Sequence, residues 1–337
     1  MALTHPVEHS TFADIEAVRQ LVMAEMATIN ELLKSEHQSQ VPLINQVIEY
    51  IIDNGGKRLR PLVLILMSRA FGYKDTAAPV LATAIEFMHT ATLLHDDVVD
   101  ESLLRRGNKT ANAVWSNQSS VLVGDFLYSR AFQLILNLEN IPAKEILACL
   151  ATATNLITEG EVLQLANRHN PDIAINDYLT ILEYKTGKLF ALAAQIGSIL
   201  AGTSVSLQQA ATEYGTRLGI AFQLIDDVLD YQANPQKTGK NVGDDLIEGS
   251  PTLPLIYAMQ YASSAERQLI RQAIETGNAE NLSEIQRIIA TSGAIAYTED
   301  CAIEQAKLAI AALHKLPNSR YRDALATLAN FAVKRDH

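Results

Sequence analysis

The chain has 337 residues, 48% of them apolar, and a formal net charge of -11. A field of that sign argues against nucleic acid as a partner, because phosphate backbones are held by basic surfaces. The two cysteines, Cys149 and Cys301, both fall in helical patterns, which fits a reduced cytoplasmic interior better than a disulfide framework.

Length alone would allow two domains, but no Pro/Gly/Ser-rich linker, low-complexity segment or charge block marks a boundary, so a single domain over residues 1–337 is expected. Met1 to Ser10 carries no apolar run, and no signal peptide is expected there.

In chain order, apolar residues recur at helical spacing from about Thr11 to Leu33 and again over Val41 to Ile52. Asn54-Gly55-Gly56-Lys57-Arg58-Leu59-Arg60-Pro61 follows, where two glycines permit a tight loop and three cations arrive at once. That composition makes an anion site or a solvated turn; it is not a nucleotide phosphate loop, since Gly-x-x-x-x-Gly-Lys-Ser/Thr is absent. Pro61 can start a helix to about Phe71, and Pro79 is expected as the first residue of the next.

That next helix runs through Glu86 to Leu94 and ends in His95-Asp96-Asp97-Val98-Val99-Asp100. Asp96 and Asp100 stack one turn apart on one face, and Asp97 points to the flank. Like charges so spaced repel, which argues for a cation between them. Beyond them come Arg105 and Arg106, whose guanidinium forks suit phosphate oxygens.

Helices are expected over Ser119 to Leu138 and Ala143 to Leu165, a loop around Asn167 to Asp172, and a helix over Tyr178 to Ala201 carrying Lys185 and Thr186. Leu189 to Leu207 has no formal charge and could span a bilayer, but Gln195, Ser198, Thr203 and Ser204 favour a buried central helix. A helix from near Leu207 carries Phe222-Gln223-Leu224-Ile225-Asp226-Asp227-Val228-Leu229-Asp230, which repeats the earlier pattern of an apolar approach followed by aspartates at i, i+1 and i+4. Two such motifs facing each other make an oxygen-only cage that suits Mg²⁺, with diphosphate as the remaining ligand. The loop Gln232 to Leu246 holds Lys237 and Lys240 between glycines and is placed to close as a lid. Thr252 to Lys334 gives three or four amphipathic helices with a basic end at Lys334-Arg335; no strand-period run competes, so the class is all-α.

Taken together, Gly55 to Pro61, the first aspartate motif with Arg105-Arg106-Gly107, Lys185-Thr186, Phe222-Gln223 with the second motif, and Gly239-Lys240 resemble the trans-isoprenyl diphosphate synthase (polyprenyl synthetase) family over nearly the whole chain. Glu86 to Ser102, Val121 to Phe126 and Gly239 to Leu246 are most similar to the bacterial members that make octaprenyl diphosphate for the ubiquinone side chain. The resemblance implies a helical bundle around a deep central cavity and a cytoplasmic homodimer that adds isopentenyl diphosphate to farnesyl diphosphate. It implies Mg²⁺ as the cofactor, roughly three ions per site once substrate is bound, and allows peripheral membrane contact as the product leaves. By matching positions, Asp96, Asp100 and Asp226 would be the principal metal ligands, with Asp97, Asp227 and Asp230 as further ligands or supports. Arg105, Lys185 and Lys240 would hold the allylic diphosphate, and Lys57, Arg60, His89 and Arg106 the isopentenyl diphosphate. Thr186 and Gln223, the latter beside Phe222, would face the allylic cation. One departure is Ser250 in Glu248-Gly249-Ser250-Pro251-Thr252, where many members have lysine.

Small side chains at Ala91 and Thr92, with Met88 one turn further back, leave a path for a growing tail towards the start of that helix and imply a long product, with Phe132 as a deeper floor. Two rivals share the expected fold. A class I terpene cyclase needs no isopentenyl diphosphate pocket, and a non-catalytic subunit of a heteromeric synthase needs no intact metal motifs.

Overall fold

A computed structural model describes residues 12–105, 107–232 and 243–335. Helices α1 (Ile15–Leu21), α2 (Met23–Ser35), α3 (Pro42–Asp53), α4 (Leu59–Ala70) and α5 (Ala77–Val99) lead to a small antiparallel hairpin, β1 (Leu104–Arg105) and β2 (Asn108–Lys109). Next come α6 (Ala111–Val114), α7 (Asn117–Leu136), α8 (Ala143–Asn167) and α9 (Ile175–Leu182), and α9 passes through a π-helical turn, Glu183–Gly187, directly into α10 (Lys188–Leu200). The long α11 (Val205–Gln232) follows. Past residue 242 lie α12 (Asp244–Ile247), α13 (Leu253–Tyr261), α14 (Ser264–Thr276), α15 (Leu282–Thr291), α16 (Ala294–Leu313) and α17 (Arg320–Lys334). The class is all-α as expected, apart from that hairpin of two-residue strands.

The uncharged stretch is central. From Leu189 to Leu200 only Gln195 escapes full burial, and α10 packs on α4 and α11. At roughly 1.5–3 kcal/mol for each large aliphatic or aromatic side chain removed from water, this helix and its neighbours anchor the core. Helix α5 is just as apolar: Ala77 to Met88 is buried except for Val80, and it packs chiefly on α7 and α4. Among the described residues two helices, α5 and α8, are long and apolar enough to cross a membrane. For α5 the burial, 78% of its apolar window, accounts for that composition, whereas only 28% of the window in α8 is covered.

Boundaries differ from expectation in several places: the helical pattern from about Thr11 to Leu33 is divided at Val22 into α1 and α2, and the helix expected over Tyr178 to Ala201 starts at Ile175 and is interrupted by the π turn. Helix α5 begins at Ala77, so Pro79 is its third residue; first-turn amides have no intrahelical acceptor, and a proline there forfeits no bond. The C-terminal part contains five helices, not three or four. The four divisions are the capping box of Ser263 and Glu266, Gly277 and Gly293, whose φ of 61° and 79° lies in the left-handed region that ends a helix or a turn, and Ser319, whose side chain accepts from Arg322 N at the start of α17.

Candidate active site

A cavity of about 590 Å³ is walled by both aspartate motifs: Asp96 and Asp100 come from the end of α5, and Asp226, Asp227 and Asp230 from the end of α11. Lys57, Arg60, His89, Arg105, Lys185, Thr186, Phe222 and Gln223 share that wall. The fold thus gathers side chains from distant parts of the sequence, as their chemistry anticipated. Arg106 and Lys240 lie outside the described residues, as do positions 233–242 of the expected lid.

Both motifs sit at the C-terminal ends of their helices, where unpaired carbonyls already carry partial negative charge. Asp100 is the C-cap of α5, and the following Glu101, at φ 52°, turns the chain away. Carboxylates placed there are opposed by the helix and need partners, and the structure supplies them for Asp97, Asp100, Asp226, Asp227 and Asp230. Asp97 is 1% exposed and accepts from Arg105 Nε at 2.8 Å, which sets it behind the wall rather than on it. Asp100 pairs with Arg168, and Asp226 with Arg335 at 2.7 Å. Asp230 accepts from the backbone amides of Asp244 at 3.2 Å and Asp245 at 3.4 Å. Asp227 accepts from the Tyr178 hydroxyl and from Gln223 Nε2 at 3.0 Å.

Asp96 is strongly perturbed on this wall. Burial pushes its pKa up to about 7, against the attraction of Lys185, with Glu161 and Asp100 adding repulsion. Burial likewise raises Glu248 to about 8, helped by Asp100 and Asp245. Asp227 is held well above the usual carboxylate range by burial and by Asp245, in spite of its two donors. This corner concentrates more negative charge than its fixed cations offset, which is the condition that favours a mobile cation.

Lys185 and Thr186 lie in the π turn, an irregularity that recurs at functional sites because it re-aims side chains within a helix. Two glycines let neighbouring helices press on that turn. A Cβ at Gly160 of α8 would meet Lys185 N at 2.8 Å, and one at Gly219 of α11 would meet Gly187 Cα at 2.8 Å. Lys185 Nζ donates to Glu161 Oε2 at 3.0 Å and Gln164 Oε1 at 2.8 Å; burial works against its charge, yet Asp96 and Glu161 raise its pKa. Thr186 Oγ1 donates to Gln223 Oε1 at 3.0 Å, so threonine, glutamine, Asp227 and Tyr178 form one chain of hydrogen bonds along the wall.

An adjoining part of the cavity is cationic and aromatic. Phe190 and Phe222 have ring centroids 5.9 Å apart. Arg60 lies 4.5 Å from the Phe190 centroid, and Arg335 and Lys57 lie 3.7 Å and 5.9 Å from that of Phe222. Arg58 caps α4 in a left-handed conformation, φ 49°, and binds Glu86 of α5 at 2.5 Å, fixing the loop that presents Lys57. Of the chain-length candidates, Thr92 lines the cavity, whereas Met88 and Ala91, 1% and 0% exposed, sit behind its wall. Phe132 is half-buried on α7.

Sequence reasoning missed the residues that hold these groups. Arg168 had only a loop position to mark it, and Arg335 only a basic terminus. Glu161 and Gln164 were detectable in principle: both are polar, one turn apart on a largely apolar helix.

Residues 41–292 match the polyprenyl synthetase family. Over 324 residues the chain is 48% identical to the octaprenyl diphosphate synthase of Escherichia coli (strain K12), covering 96% of this chain and 99% of that one. It is 45% identical to the octaprenyl diphosphate synthase of Haemophilus influenzae, covering 96% and 98%. In three dimensions it is similar to a polyprenyl synthase of Caulobacter crescentus CB15 solved with calcium and isoprenyl diphosphate, with TM-score 0.91, 42% identity and coverage of 96% and 98%. With the motifs, the all-α fold and near full-length similarity in agreement, this chain belongs to the polyprenyl synthetase family.

Proposed function

We propose that the chain is a long-chain trans-polyprenyl diphosphate synthase that extends farnesyl diphosphate with isopentenyl diphosphate to an octaprenyl product destined for ubiquinone. The observation that carries this is the meeting of two aspartate motifs and a separate cationic, aromatic lobe on one cavity, in a chain 48% identical to an octaprenyl diphosphate synthase across nearly its full length. That second lobe, with Lys57, Arg60 and His89 on its wall, favours elongation over a terpene cyclase. Complete metal motifs favour a catalytic over a non-catalytic subunit.

The donor set fits magnesium. It is all oxygen, and Asp96 is a buried carboxyl in an excess of negative charge. Among the described residues no three acidic or imidazole groups are gathered to hold an ion unaided, which suits a metal whose other ligands are phosphate oxygens and water. Asp96, Asp100 and Asp226 would hold Mg²⁺, with Asp97, Asp227 and Asp230 supporting them, and the metal when bound stabilises charge on the departing diphosphate.

The protein's own groups do the rest. Arg105 and Lys185 bind the allylic diphosphate as fork and point charges, and stabilise the oxygens on which charge grows as the C–O bond breaks. Thr186 and Gln223 present oxygens towards the allylic carbon, oriented by Asp227 and Tyr178. Lys57, Arg60 and His89, with Arg106, hold isopentenyl diphosphate so that its double bond faces that carbon. The proton lost after condensation goes to the diphosphate product, and the tail advances past Thr92. Exposed apolar residues on α7 and α8, among them Leu122, Leu136 and Val162, support a homodimer through those helices. A cytoplasmic enzyme with transient membrane contact at product release is consistent with this chemistry.

The deciding experiment incubates the purified full chain with farnesyl diphosphate, isopentenyl diphosphate and Mg²⁺, then separates dephosphorylated products by chromatography. A C40 alcohol is expected from the wild type and none from Asp96→Ala or Asp226→Ala. A cyclised product, or turnover in excess chelator, overturns the reading.

A further inference from the structure

Arg168 stands at the corner where negative charge is least balanced. It follows α8 in the turn towards α9, and its guanidinium is drawn against the end of α5: Nη2 donates to Asp100, and Nη1 reaches the Val99 carbonyl at 3.4 Å. Its Nε is buried and has no hydrogen-bond partner among the described residues. An arginine fork offers five donors, and an unmet buried one is costly unless something else engages it. The turn is also locked to the segment that closes the cavity, because His169 N donates to Gly249 O at 2.8 Å. Next to that carbonyl is Ser250 on the cavity wall. Gln164 links it to Lys185: Nε2 donates to Ser250 Oγ at 3.4 Å, while Oε1 accepts from Lys185 Nζ.

The charges at this corner are Asp96, Asp100, Glu161, Glu248 and Asp245 against Lys185, Arg105 and Arg168. Glu248 responds to both Asp100 and Arg168, so these groups share one electrostatic neighbourhood. Position 250, which could carry a cation here, is neutral.

On the reading of the cavity as an allylic diphosphate site, we infer that Arg168 is a further diphosphate-binding residue and takes the place that a cation at position 250 would fill. In the ligand-free chain it holds Asp100. When Asp100 turns to a metal ion, the guanidinium is released and its unused donors engage a phosphate oxygen of the allylic substrate. Arg168 then has two partners in succession, which a purely structural ion pair does not.

The test is calorimetric binding of farnesyl thiodiphosphate, an analogue that ionises poorly, to the full chain in Mg²⁺, with isopentenyl diphosphate titrated separately. Arg168→Gln, which keeps bulk and removes charge, should weaken the analogue about tenfold or more while changing isopentenyl diphosphate by less than about threefold. Ser250→Lys added to Arg168→Gln should recover most of that loss. Unchanged analogue affinity in Arg168→Gln overturns the inference, as does equal weakening of both ligands or failure of Ser250→Lys to rescue. Arg168→Lys serves if the glutamine variant melts early: it keeps the charge and loses the fork, so the analogue should still weaken severalfold while isopentenyl diphosphate does not, and unchanged analogue affinity counts against the inference. Absence of analogue binding by the wild type would instead defeat the reading of the site itself.

Discussion

Arg335 closes on Asp226 at 2.7 Å while its guanidinium carbon lies 3.7 Å from the centre of the Phe222 ring, so one side chain neutralises a carboxylate of the second aspartate motif and covers the aromatic lobe. Its Nη2 also donates to Phe222 O at 2.6 Å. On the proposed function, a metal ion bound at Asp226 would have to displace this contact. Arg335→Ala should therefore lower the Mg²⁺ concentration for half-maximal turnover by about fivefold, equivalent to roughly 1 kcal/mol of lost competition. A magnesium titration of activity checks it, and an unchanged or higher requirement counts against the competition.

The raised pKa of Asp96, about 7, sets a pH dependence. Between about pH 4, where the unfolded carboxyl releases its proton, and about pH 7, the folded chain still holds it. Native protein then binds more protons than unfolded protein, so the contribution of this group to stability is full below that window and is lost as pH rises through it. Glu248, raised to about 8, extends the trend in the same direction. Thermal melts in chelator should show these groups favouring the lower pH, and Mg²⁺ with inorganic diphosphate should flatten the slope. Metal binding requires the carboxylate, so the apparent Mg²⁺ affinity should weaken as pH drops below about 7, with proton release detectable by calorimetry in buffers of different ionisation heat.

Thr92 faces the cavity and Ala91 does not, which separates two substitutions that look equivalent in sequence. Thr92→Tyr should place a ring in the tail's path and shorten the main product from near C40 towards C20, with the first condensations still fast. Ala91→Tyr forces the same ring into filled space, at a typical cost of about 1–3 kcal/mol, and should lower the melting temperature more than Thr92→Tyr does. Product chromatography and thermal melts on the two variants decide between them.

Gly160→Ala tests how tightly the π turn is held. The new methyl would meet Lys185 N at 2.8 Å and Tyr184 Cβ at 2.7 Å, so α8 or the turn must shift. Turnover should fall at least about tenfold, because a reacting group displaced by about an ångström loses that much or more, while far-ultraviolet circular dichroism stays near wild type. Wild-type turnover would show that the turn tolerates displacement.

The motifs were legible because each is local: a glycine pair before cations, and aspartates at helical spacing, declare their chemistry within a few residues. Helix existence was legible for the same reason, since periodicity over two or three turns fixes which face is buried. The partners were not. Arg168 meets Asp100 and Arg335 meets Asp226 only through tertiary folding, and neither pair leaves a trace in spacing. Nor could periodicity show that Lys185 and Thr186 lie in a π turn, because α10 is apolar nearly all round and has no polar face whose phase would reveal an extra residue. Ala91 and Thr92 are adjacent and both small, and only the packing of α5 on α7 shows which of them faces open space.

The π turn also constrains how this chain can change length. A turn closed by i to i+5 bonds contains one residue more than an α-helix needs, and in a regular helix one residue corresponds to about 100° of rotation. Between Glu183 and Gly187 that extra residue is absorbed locally, so α9 keeps its apolar face towards the core and α10, buried nearly all round, follows without a break. Removing one residue there would leave a straight helix with its buried faces in register, and the bundle would still assemble. Lys185 and Thr186 would be drawn back into the regular spiral and lose their aim at the cavity. The segment therefore acts as a spacer whose length is set by chemistry rather than by folding, and a single-residue deletion at this point should yield a well-folded protein without turnover.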